Sequence, residues 1–213
     1  MNTRKAFEVG GVITAVVLVA FGVAAIVMGF NGRSTVKDNL AAQRIVGTPD
    51  MTPTAITAAA KKAGLNTATI PIPTCSAAGK TITGGSSARC FAQYMNIHSL
   101  EATGGVVYSQ MPQYATANGA GTSDPTKALQ ANGKPVSNPA RDVWVTETAL
   151  TTALNASYMA DQISLFGIVV GIALLLSGFG FAILSIGGAL RNPDSVLRPA
   201  SKRSRAAATP ALT

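Results

Sequence analysis

Residues 163–190 read ISLFGIVVGIALLLSGFGFAILSIGGAL, 28 positions without a charge. A helix needs about 20 apolar residues to cross a bilayer core of ~30 Å, so this stretch reads as a transmembrane helix. A buried core helix of a globular protein rarely runs so long without an ionised side chain. A second stretch, residues 9–30, reads VGGVITAVVLVAFGVAAIVMGF, again without charge over 22 positions. Arg4 and Lys5 precede it, and Gly22-Val23-Ala24 resembles a signal-peptidase site. The apolar run continues to Phe30, past that site and beyond the usual length of a signal-peptide core, which favours an uncleaved anchor.

The two spans account for the composition. The 213-residue chain is 47% hydrophobic and only 12% charged, about half the charge of an ordinary soluble domain. The formal net charge is +8, and its distribution sets the orientation. Residues 1–8 and 191–213 together hold 7 of the 17 basic residues, whereas 31–162 carries 10 against 7 acids. Basic residues close to span ends mark the cytoplasmic side. The expected organisation is a cytoplasmic N-terminus (1–8), a first span (9–30), an extracytoplasmic segment (31–162), a second span (163–190) and a basic tail (191–213). That tail, rich in small residues after its basic cluster, is expected to be disordered and cytoplasmic. The expected location is the plasma membrane. Because the basic excess lies in short tails without interleaved aromatics, it points to anionic lipid rather than to nucleic acid.

Cys75 and Cys90 both fall in the extracytoplasmic segment, an oxidising compartment, and are expected to pair. No CxxC redox pair is present. Periodicity over 31–162 is mostly helical. The spacing of Val36, Leu40 and Ile45 extends the first helix to about Arg44. Thr52-Pro53 opens a helix that ends at Gly64, and Ser87 is expected to cap one that stops at Gly104-Gly105. Asp124-Pro125 suggests a short helical turn, and TATIPIPTC (67–75) an extended or loop segment. From Asn138-Pro139 a continuous helix is expected to run into the second span, with Leu150, Leu154 and Tyr158 on one stripe. The expected fold is mainly α, a transmembrane helical hairpin whose long helices extend into a small, disulfide-stapled exported domain.

Small residues line one face of each span: Gly11, Ala15, Gly22, Ala25 and Gly29 in the first, Gly167, Gly171, Gly178, Ala182 and Ser185 in the second. Such stripes let helix backbones approach closely in lipid, either within one chain or with a second copy or another membrane protein. Neither span contains a charge or histidine, the usual marker of an ion path.

Candidate chemistry is sparse. His98, the single histidine, has Glu101 at i+3, an incomplete metal site, so no metal and no cofactor are expected. No GxSxG elbow, phosphate loop or dinucleotide fingerprint occurs. Tyr94, His98, Tyr108 and Trp144 are the candidates for lining a pocket in the exported domain, and equally for its core. The expected function is a non-enzymatic accessory or scaffold protein of the envelope, acting through partner contacts. The alternative is an exported binding module for a lipid or envelope glycan.

Three stretches carry a family resemblance: TVKDNLAAQRIVGTPDMTP (35–53), HSLEATGGVVYSQMPQY (98–114) and TALTTALNASYMADQISLF (148–166). They resemble a family of small actinobacterial two-span membrane proteins of uncharacterised function, whose members are sometimes labelled aromatic ring-opening dioxygenases. The resemblance implies two spans and an actinobacterial envelope setting. The label implies non-haem iron held by two histidines and a carboxylate, and one histidine does not suffice.

Overall fold

The computed structural model describes residues 3–187. The second span's last residues, 188–190, and the tail 191–213 lie outside them. The fold is mainly helical, with α1 (Thr3–Ala42), α2 (Pro53–Lys62), α3 (Gly85–Ala102) and α4 (Pro139–Ile186). Among the described residues, a 3-10 turn (Tyr108–Gln110) and a two-stranded antiparallel ribbon, β1 (Gln130–Ala131) and β2 (Lys134–Pro135), complete it. Both α1 and α4 are long and apolar enough to cross a membrane.

The chain divides into two compact units. The first contains residues 3–29 and 166–187 of the described chain. Here Gly11, Ala15, Gly22 and Gly29 are buried on α1, and Gly171, Gly178 and Ser185 on α4. A methyl placed on Gly171 would stand 2.7 Å from the Gly22 carbonyl oxygen, and one on Gly22 would stand 2.8 Å from the Gly171 oxygen. One on Gly178 would stand 3.1 Å from the Ala15 oxygen. Gly167 faces Ala25 more loosely, at 3.7 Å. Ala15 opposite Gly178 and Gly22 opposite Gly171 means the segments run antiparallel, backbone against backbone. Their outer faces carry the large side chains, with Phe21, Met28, Phe179 and Ile183 more than half exposed.

The second unit is Phe30–Leu165. Its core draws Leu40 from α1, Ile56 and Ala60 from α2, Phe91, Tyr94 and Ile97 from α3, and Trp144 and Leu154 from α4. Arg33 pairs with Asp161 at 3.1 Å, joining α1 to α4 within this unit. The Cα of Tyr158 would stand 2.9 Å from a side chain at Gly85, so α3 begins hard against the α4 backbone. Loop backbone is satisfied in short pairings, such as Ile82 N–H to the Ile45 oxygen at 2.9 Å and Gly47 N–H to the Lys80 oxygen at 3.0 Å.

Local chemistry explains the element ends. The Thr52 hydroxyl accepts from Ala55 N–H, with Pro53 at the first helical position. Gly64 follows α2 at φ +75°. Asn138 accepts from Ala140 N–H at the start of α4. Two expectations change. Ser87 does not precede α3 but sits in its first turn, where its hydroxyl accepts from Gly84 N–H at 3.1 Å, because the helix starts earlier at Gly85. Asp124-Pro125 opens a turn rather than a helix, since the Asp124 carboxylate takes the N–H and hydroxyl of Thr126. The Asn132-Gly133 turn, at φ +52° and +72°, makes the small ribbon, an Asn-Gly hairpin signal that is present in the sequence.

Candidate functional site

The disulfide between Cys75 and Cys90 is formed and ties the loop before α3 to that helix's second turn. The four residues expected in a pocket or in the core stand in different surroundings. Tyr94 is fully buried and donates to the Cys75 oxygen at 2.6 Å. Burial pushes its hydroxyl above the ordinary tyrosine value. Trp144 is buried, its indole N–H donating to the Val106 oxygen at 3.0 Å. Tyr108 is exposed and covered on one face by the Arg141 guanidinium, 3.9 Å from the ring centre. The physical reason is economy of apolar groups: in so small a domain, the large aromatics of α3 and α4 fill the space between helices.

His98 is held rather than free. Its Nδ1–H donates to Glu101 Oε2 at 3.1 Å, and its Nε2 lies 3.5 Å from Asp50 Oδ2. Asp50 was not visible as a partner in the sequence, because it lies in the loop before α2. The Thr48 hydroxyl hydrogen bond holds the Asp50 carboxyl below the usual carboxylate value. Partial burial opposes that shift and the His98 charge adds to it. The two carboxylates approach opposite edges of the imidazole, so they do not converge on a point where a metal would sit. Among the described residues, no group of three or more His, Cys, Asp or Glu side chains is arranged to hold a metal ion.

A polar cleft of about 340 Å³ opens between α3 and α4. Arg89, Gln93 and Asn96 line it from α3, and Glu147, Thr151 and Asn155 from α4. These sets recur at i, i+4, i+7 and at i, i+4, i+8, so each helix presents one polar stripe to the cleft. Glu147 is buried, only 5% exposed. One carboxylate oxygen accepts from Asn96 Nδ2 and the other from the Thr148 hydroxyl, both at 3.3 Å. Arg89 is stacked over the Tyr158 ring at 4.7 Å. Sequence periodicity does not reveal this cleft, because it forms between two helices far apart in the chain. Its one local signal is an acid, Glu147, on the stripe that also carries Trp144 and Leu154.

No family model, curated protein or solved structure matches the chain.

Proposed function

We propose that the chain is an integral membrane protein of the cell envelope, anchored by residues 9–30 and 163–190. In this reading both termini are cytoplasmic, 31–162 lies outside, and the protein works without catalysis as an accessory or scaffold through partner contacts. The observation that carries the non-catalytic reading is how the reactive side chains are used. Cys75 and Cys90 are bonded to each other, Tyr94 and Trp144 donate to main-chain oxygens, and His98 is braced between Asp50 and Glu101. Each candidate for chemistry is engaged in fastening one segment to another.

Membrane anchoring is supported by the apolar outer faces around Phe21, Met28, Phe179 and Ile183, which water would disfavour and lipid accommodates. The small-residue stripes face each other in this chain, so partners would meet the outer faces or residues 31–162. A photo-reactive residue at Phe21 or Phe179, activated in native membranes, tests the reading. The expected result is discrete protein adducts, from another membrane protein or a second copy. Adducts with lipid alone, from these positions and from exposed Val145, would sink it.

A further inference from the structure

We infer that the cleft between α3 and α4 is a binding site for a neutral, polyhydroxylated ligand, a sugar residue of a glycan or glycolipid. An ionised carboxylate is costly to bury unless charge or strong hydrogen bonds compensate. Glu147 is 5% exposed, and among the described residues no lysine or arginine nitrogen lies within 4.0 Å of it. Among the described residues its donors are one amide and one hydroxyl, both at 3.3 Å, the long end of the hydrogen-bond range. A carboxylate offers about four acceptor positions, so two remain for a ligand. Packing gives no reason for an acid here, since Trp144 and Leu154 on the same stripe are core residues.

The rest of the lining selects the ligand class. Gln93, Asn96 and Asn155 each present an amide that both donates and accepts, and Thr151 a hydroxyl that does the same. Sugar hydroxyls have this dual character, and an array of such groups meets them without a charge on the ligand. Arg89 and Glu147 balance to zero across the lining, which favours neither a cation nor an anion. Pro71 and Ala92 add apolar surface for the C–H face of a pyranose or furanose ring. Stacking on Tyr158 holds the Arg89 guanidinium in place. Glycoside hydrolysis uses a pair of carboxylates, and Glu147 is the one carboxylate in this lining, so the cleft binds rather than cleaves.

The test is saturation-transfer difference NMR on the full chain in lauryldimethylamine oxide micelles, a detergent without a sugar headgroup. Glucose, galactose, arabinose and myo-inositol are the neutral probes, and glucuronate the charged one. Saturation transfer to the ring protons of at least one neutral probe is expected. Glu147→Gln should weaken that binding at least about tenfold, equivalent to about 1.4 kcal/mol. Asn155→Trp, on the exposed rim, should block the cleft without touching the core, which keeps the test informative if the Glu147 variant misfolds. Maltotriose in solution and digalactosyldiacylglycerol in nanodiscs separate the two sources, and a response to either supports the site. No transfer to any neutral probe, transfer to glucuronate alone, or transfer undiminished in Asn155→Trp would overturn it.

Discussion

Tyr94 donates its hydroxyl to the main-chain oxygen of Cys75 at 2.6 Å, one turn of α3 beyond Cys90, which is bonded to the same residue through sulfur. Helix α3 therefore grips Cys75 twice, covalently and by a buried hydrogen bond. Tyr94→Phe should cost about 1 kcal/mol, measured by denaturant unfolding of the solubilised protein. The pH signature is sharper. Burial raises the Tyr94 value in the folded state, so its contribution is complete below the ordinary value of 10.0 and is lost as pH rises through the folded value. Wild-type stability should fall on the alkaline side, and Tyr94→Phe should flatten that limb. An alkaline limb unchanged in the variant would count against this assignment.

The disulfide closes a sequence separation of 15 residues. Replacing both cysteines with serine should lower stability by about 3 kcal/mol through loop-closure entropy in the unfolded chain. In intact cells a membrane-impermeant thiol reagent should not label the protein until it is reduced, and should then label it from outside. Labelling before reduction would mean free thiols, and labelling only after lysis would reverse the proposed orientation.

Gly22 and Gly171 approach closely, and a methyl on Gly171 would stand 2.7 Å from the Gly22 carbonyl oxygen and 3.0 Å from the Ile26 nitrogen, backbone atoms that cannot swing aside, besides 2.6 Å from Ile26 Cγ1. Gly171→Ala should destabilise the solubilised protein by about 1–3 kcal/mol, the usual cost of overpacking. Gly180→Ala, on the same helix but with nothing within 4 Å of its added methyl, is the control and should be neutral or slightly stabilising. Equal melting temperatures for the two variants would refute the close approach.

Asp50 is held below the ordinary carboxylate value of 3.8, mainly by the Thr48 hydroxyl and then by the charge of His98, with partial burial opposing. A depressed value contributes stability that is present above 3.8 and lost as pH falls through the folded value. Because the Asp50 side chain is half-exposed, the effect should be modest. Acid titration of unfolding should show a shallower decline in Asp50→Asn than in the wild type, and Thr48→Ala should fall between them. Parallel acid limbs in all three proteins would remove Asp50 from the account.

Much of this architecture is legible along the chain because its causes are local. Two uncharged runs mark the long helices, and Thr52-Pro53, Gly64 and Asn138-Pro139 set helix ends by capping chemistry that spans only a few residues. The small-residue faces are legible too, since heptad spacing places Ala15, Gly22 and Gly29 on one side of a helix. The shift of the α3 start from Ser87 to Gly85 is a boundary effect. A serine in the first turn can cap backward as well as a preceding one can cap forward.

The sites are another matter. Asp50 reaches His98 from a different element, Asn96 meets Glu147 across 51 positions, and Arg33 meets Asp161 across 128. Hydropathy and periodicity report which face of a helix is buried, and they are silent on which residues of another helix lie opposite. They placed Tyr94 and Trp144 equally well in a core or around a pocket. Both rings are buried in the core of the second unit, Tyr94 bonded to the Cys75 oxygen and Trp144 to the Val106 oxygen, and polar stripes line the cleft instead. Two long apolar helices, their capped ends and a pair of cysteines to join follow from the order of residues alone. Which small-residue face meets which, where the histidine is braced, and the opening of a buried glutamate onto a polar cleft emerge only in the folded chain, because each depends on contacts between residues far apart in sequence.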